Sequence, residues 1–171
     1  TVHSWGAYAA YSHKVTPFRD EDSQVYCTVK VAKGELKSRQ WANVRALDGT
    51  LLRVSKDNPK APLIIFGQYG AKVLATEKHS LIVAVPSSSH TMHGQPFTGA
   101  YLAEAITQRM PASSGVKAAP LLAFKQVMPK ASAGEADARN KPLIKAALKS
   151  SLASLARQRV VLVDDVCSSG A

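Results

Sequence analysis

The segment Val160-Val161-Leu162-Val163-Asp164-Asp165-Val166-Cys167-Ser168-Ser169-Gly170-Ala171 decides how the rest of the chain is read. Four consecutive apolar residues predict a short strand buried on both faces, the usual condition of a strand in a parallel sheet. Two carboxylates follow at once, and burying such charges is costly unless solvent or a ligand meets them. Next come two hydroxyl residues, a glycine and a small residue. That composition lets backbone N–H groups and two side-chain donors wrap an anion. Acids that can hold vicinal hydroxyls, beside a cradle for phosphate, describe a ribose-phosphate site.

Upstream, residues 142–157 (PLIKAALKSSLASLAR) alternate apolar and polar positions at helical spacing, with Pro near the first turn, and predict an amphipathic helix. Residues 125–139 are polar and rich in small side chains, and are expected to be mobile. Residues 118–124 predict a strand. Residues 99–110 (GAYLAEAITQRM) predict a helix that Pro111 and Gly115 bring to an end. Residues 80–85 (SLIVAV) form a second short apolar run, again suited to a buried parallel strand, and they lead into Pro86-Ser87-Ser88-Ser89. The order strand, helix, strand, helix, strand predicts an α/β chain with a doubly wound parallel sheet.

The first third of the chain is less patterned. Residues 63–74 (LIIFGQYGAKVL) have helical spacing despite two glycines, and 56–62 reads as a loop with two prolines. Asp48-Gly49 marks a turn before an apolar run at 51–54. Residues 39–47 predict a short helix, and 24–32 (QVYCTVKVA) alternates like a strand. Residues 1–25 read as an irregular arm. The division that follows is an accessory or hood region over 1–55 and an α/β core over 56–171.

Composition bounds the function classes. Apolar residues make up 46% of the 171, enough for a packed core. No apolar run approaches the roughly 20 residues that span a bilayer, so no membrane association is expected. Cys27 and Cys167 stand far apart without CxxC neighbours, which excludes a disulfide framework or cysteine-rich zinc site and points to a reducing, cytoplasmic setting. The net charge of +10 favours a polyanionic partner, either nucleic acid or a phosphorylated small molecule. The basic residues are dispersed, however, which suits a solvated basic surface better than a dedicated nucleic-acid stripe. The chain begins without Met and stops directly after Gly170-Ala171, so both ends read as cut.

The closing segment resembles the phosphoribosyl pyrophosphate (PRPP) signature of type I phosphoribosyltransferases: four apolar residues, two acids, two apolar residues, two hydroxyl or small residues, then glycine and a small residue. Every position from Val160 to Ala171 fits. The resemblance implies that Asp164 and Asp165 contact the ribose hydroxyls and lie near a catalytic Mg²⁺, which they reach indirectly through PRPP or water. It also implies that Ser168, Ser169, Gly170 and Ala171 cradle the 5′-phosphate. The stretch Ile82-Val83-Ala84-Val85-Pro86-Ser87-Ser88-Ser89, with His93-Gly94 and Phe97, is similar to the pyrophosphate loop of the ComF-like, competence-associated branch. Pro86, Ser87, Ser88, Ser89 and His93 would then hold the pyrophosphate, and Ala100–Ile106 matches that branch's helix. Arg139-Asn140 echoes its R-x-x-N pair.

There are departures. The cysteine-rich zinc module common in that branch is missing, His93 stands where Arg is usual, and the family continues past this point with Thr or Ser, a helix and a strand. The expectation is a phosphoribosyltransferase-like core incomplete at its C-terminal end. It would displace pyrophosphate from PRPP with an unknown nitrogen acceptor, using Mg²⁺. The alternative is a non-catalytic PRPP-type module in a nucleic-acid process such as DNA uptake, or one subunit of an oligomer or larger complex. Lys125, Lys130 and Arg139 could close over the site but read as solvated charges. His90 and His93 lack a third ligand at matching spacing, so no metal is expected there. Cys167 reads as a loop residue. Trp5, Trp41, Tyr8, Tyr11 and Tyr26 read as core residues, with stacking on bases as the other use.

Overall fold

The computed structural model describes residues 2–6, 19–129, 140–151 and 158–165. The chain divides into two compact units: Thr1–Thr76 with Ala105–Pro111 and Asp165–Ala171, and Glu77–Glu104 with Ala112–Asp164. Among the described residues no helix is long and apolar enough to cross a membrane.

The first unit begins with helix α1, Asp20–Ala32, where the alternation of 24–32 predicts a strand. The helix wins at its N-terminus. The Arg19 backbone and guanidinium both donate to the Asp22 carboxylate, each at 3.1 Å, and three acids occupy the first turn, where the helix dipole favours them. The alternating apolar residues serve a helix equally well, because Val25 and Val29, and Cys27 and Val31, are i,i+4 pairs on its surface. The buried Thr28 hydroxyl donates to the Gln24 carbonyl at 2.7 Å. Gly34, at φ +70°, ends the helix, with its N–H on the Val31 carbonyl and that of Glu35 on the Lys30 carbonyl.

A second correction concerns residues 39–47, which form strand β1, Trp41–Arg45, rather than a short helix. β1 pairs antiparallel with β2, Leu51–Ser55, placing Ala42 opposite Val54 and Val44 opposite Leu52. The turn between them is the one expected at Asp48-Gly49. Asp48 accepts from the Thr50 N–H at 2.9 Å and from the Gln68 amide at 2.7 Å, and Gly49 sits at φ +88°. Helix propensity over a few residues is weak, and a strand partner one turn away overrides it. The inner face of the hairpin joins α1 and helix α2, Ala61–Val73, in a core of Cys27, Val31, Leu36, Ala42, Val44, Val54, Ala61 and Ile65.

Helix α2 falls where its spacing predicts, with Pro62 in the first turn. Its two glycines answer a close approach. A Cβ on Gly67 would lie 2.6 Å from the Ala105 carbonyl oxygen, and one on Gly70 would lie 2.5 Å from Ile106 Cγ1.

The second unit is built on a three-stranded parallel sheet ordered β4-β3-β7, where β3 is Leu81–Ala84, β4 is Lys117–Ala118 and β7 is Val160–Val163. The expected α/β class and the parallel pairing of the two apolar runs are therefore present. Among the described residues β3 is central and carries the fully buried Ile82 and Val83, whereas β7 lies at the edge with Leu162 61% exposed, so β7 is not buried on both faces as expected. At the amino ends, Arg159 pairs with Glu77 at 2.9 Å, and Glu77 also accepts from the Ser80 hydroxyl. Helix α3, Thr98–Thr107, follows β3, and a short 3₁₀ turn, Ala112–Ser114, precedes β4.

Two further expectations change here. The single strand over 118–124 is split at Pro120, which has no N–H for a ladder. Beyond it β5, Leu122–Phe124, pairs antiparallel with β6, Leu148–Ser150. The long helix over 142–157 shrinks to α4, Lys141–Ala147, capped by the Asn140 side chain accepting from the Leu143 N–H. Residues 148–150 leave the helix to pair with β5, with a small core of Phe124, Met128 and Ala147 beneath the joint. Residues 152–157 lie outside the described residues.

Candidate functional site

The carboxyl ends of β3 and β7 are brought together by the register of the sheet. Ala84 lies opposite Val163, and the Val85 N–H donates to the Val163 carbonyl at 2.9 Å. The chain therefore leaves both strands at one end, into Pro86 on one side and Asp164 on the other. That is the position where ligands bind in open parallel sheets. Asp164 is exposed there. Asp165 lies in the first unit, where its carboxylate pairs with Lys33 at 3.2 Å.

The loop after β3 is tightly organised. Pro86 is buried, Ser87 and Ser89 are exposed, and their hydroxyls lie 3.5 Å apart. The His90 N–H donates to the Ser87 carbonyl, closing a turn. The carbonyls of Ser88 and His90 accept from the N–H groups of Met128 and Phe124, at 2.7 and 2.9 Å, which ties this loop to the segment around β5. His93 is exposed and is followed by Gly94 at φ +79°. Helix α3 then starts back at the end of β3: a Cβ on Gly99 would lie 2.8 Å from the Phe97 ring and 3.2 Å from the Ala84 Cβ. The first turn of α3 thus starts at the same end of the sheet as the serines.

His90, set aside in the sequence as a metal ligand, is the residue whose structural weight was missed. It is 2% exposed, its ring lies 4.2 Å from that of Phe97, and its Nδ1 has no hydrogen-bond partner among the described residues. Burial pushes its pKa below the ordinary value of 6.5, helped by the charges of His93 and Lys149 and opposed by a hydrogen bond to the Leu122 backbone. Lys149 reaches this neighbourhood only because β6 pairs with β5, a long-range event with no local sequence signal.

The remaining predicted residues divide simply. Ser168, Ser169, Gly170 and Ala171, the proposed phosphate cradle, lie outside the described residues, as do Cys167, Lys130 and Arg139. Lys125 donates to the Ala146 carbonyl at 2.8 Å. Among the described residues no three metal-ligating side chains converge. The oxygen chemistry of Asp164 nonetheless fits a Mg²⁺ ion held largely by ligand phosphates and water. In the first unit a cavity of about 510 Å³ is lined by Trp5, Arg19, Asp22, Asn43 and Arg45, among others, and contains none of the predicted site residues. Cys27 is buried, and burial raises its thiol pKa.

No family model, curated protein or solved structure matches the chain.

Proposed function

We propose that the chain binds PRPP as a type I phosphoribosyltransferase-like protein, on a doubly wound core, with the ribose at Asp164-Asp165 and the pyrophosphate at the loop after β3. The observation that carries this reading is the β3–β7 register, which sets the acidic strand end beside the serine loop and the start of α3. A nitrogen nucleophile would attack C1 of PRPP. The bond to pyrophosphate breaks with its electron pair, and the nitrogen's proton passes to solvent. Asp164 and Asp165 would orient the ribose, and Ser87 and Ser89 would donate to the departing pyrophosphate, so the protein's part is positioning and electrostatics. Mg²⁺, when bound, supplies charge neutralisation on the leaving group.

A second reading, a PRPP-type module without turnover, is favoured by one residue. His93 stands where the resembled branch has Arg, and an imidazole lacks the planar fork of donors with which a guanidinium meets phosphate oxygens in pairs. Calorimetric titration of the full chain with PRPP and Mg²⁺, against an Asp164→Asn/Asp165→Asn control, tests the site. Saturable binding that the control abolishes supports it, and pyrophosphate release with an acceptor then separates the two readings. A folded chain that takes up no PRPP sinks both.

A further inference from the structure

The outer face of the β1–β2 hairpin is not used by this reading. β1 and β2 alternate strictly, so Ala42, Val44 and Val54 enter the core while Trp41, Asn43, Arg45, Leu51 and Arg53 point outward. Trp41, expected in the core from composition, is instead 50% exposed, and Leu51 is 57% exposed. Trp41 thus presents a large aromatic ring on the open side of the sheet. The Arg53 guanidinium lies over the Trp41 ring, 4.6 Å from its centroid, which fixes the ring's orientation and places a cation on one of its faces. Arg45 extends from the same face, its guanidinium donating to the Gly49 carbonyl at 2.9 Å.

Charge complementarity names the occupant. Between residues 37 and 60 the chain carries six basic residues and two acids, within a protein of net charge +10. One of those acids, Asp48, is engaged by Thr50 and Gln68. Lys37, Arg39 and Lys56 are exposed at the flanks of the strands. An acidic protein would satisfy the cations but would leave the oriented indole without a flat partner. An unpaired base stacks on such a ring while the neighbouring guanidinium meets its phosphate, and this use of aromatic and basic side chains does not depend on base sequence. A duplex hides its base faces. From Trp41 to Arg45 the face runs about 13 Å, enough for a short stretch of strand.

We propose that the outer face of the β1–β2 hairpin is a binding surface for single-stranded nucleic acid, with Trp41 as the stacking platform and Arg45 and Arg53 as phosphate contacts. The surface is independent of the PRPP site.

The chain has two tryptophans, so a Trp5→Phe variant leaves Trp41 as the reporter. Titrating that variant with a short oligothymidylate at low salt is expected to give saturable quenching. By anisotropy of a labelled oligonucleotide, Trp41→Ala in the full chain is expected to weaken binding about 5- to 100-fold, and Trp41→Phe to restore most of it. Arg45→Glu/Arg53→Glu, at two exposed positions, is expected to flatten the dependence of log K on log salt by about 0.7 per lost phosphate contact. Far-UV circular dichroism confirms that each variant is folded. The proposal is overturned by any of three results: no binding by the folded chain, binding that folded Trp41→Ala and Arg45→Glu/Arg53→Glu leave unchanged, or duplex DNA bound as tightly as the single strand.

Discussion

Two segments carry polar and aromatic groups in opposite ways. In the loop after β3 the imidazole is turned inward, tilted against the Phe97 ring and 2% exposed, and the carbonyls are held by N–H groups from around β5. In the β1–β2 hairpin the aliphatic side chains are inside, and the indole and guanidinium groups are outside. The first arrangement ties the loop through its backbone to the segment around β5. The second leaves an open face on which Arg53 lies over the Trp41 ring and Arg45 meets the Gly49 carbonyl. Fixed donors favour a defined ligand, because less ordering remains to be done on binding.

Substitutions can test how far this contrast holds. The largest effect is expected beneath the loop, at Ile82, which is fully buried in the central strand. Ile82→Ala should lower unfolding free energy by about 2–5 kcal/mol in urea titrations. Next comes overpacking of α2: Gly70→Ala sets a methyl against Ile106 and should cost about 1–3 kcal/mol by the same measurement. A smaller effect separates the loop from the hairpin through pH. Burial lowers the folded-state pKa of His90 below its unfolded value of 6.5, so protonation favours the unfolded chain. Its contribution is therefore fully present above about pH 6.5 and is lost as the pH falls from there through the folded-state pKa. His90→Phe should flatten that part of the stability–pH curve, and an unchanged slope would show that other groups set it. The smallest effect on stability belongs to Asp164→Asn, at an exposed strand end, where a change within about 0.5 kcal/mol is expected alongside loss of PRPP binding.

The two segments also differed in how plainly their sequences announced them. The apolar runs at 81–84 and 160–163 left little choice but strands, and each appears as predicted, because an uninterrupted run too short for a helix has few other ways to be buried. What the run could not show was that β7 would occupy the edge of the sheet, since neighbours are assigned by the whole topology. Helix α1 was hidden because its alternating valines fit either period, and the deciding contact, Arg19 with Asp22, sits just ahead of them. β1, β5 and β6 depend on partners brought from elsewhere, and β6 overrides a good helical pattern only when Leu122–Phe124 is present to pair with it. At the candidate site, the placement of Asp164 and the serines just past the ends of β7 and β3 was readable from the two apolar runs. The burial of His90 was not, because it rests on Phe97 and on a hairpin assembled across many residues.

The pairing of β3 with β7 has a consequence for the life of the chain on the ribosome. Leu81 and Val160 are register partners separated by roughly 80 residues, and contacts so distant in sequence carry a large loop-closure entropy and form late. Until Val163 has emerged, β3 offers an open hydrogen-bonding edge made of some of the most apolar residues in the molecule. An edge of that kind is a template for mispairing with another nascent chain. Emergence of Val160–Val163 therefore covers that edge of β3.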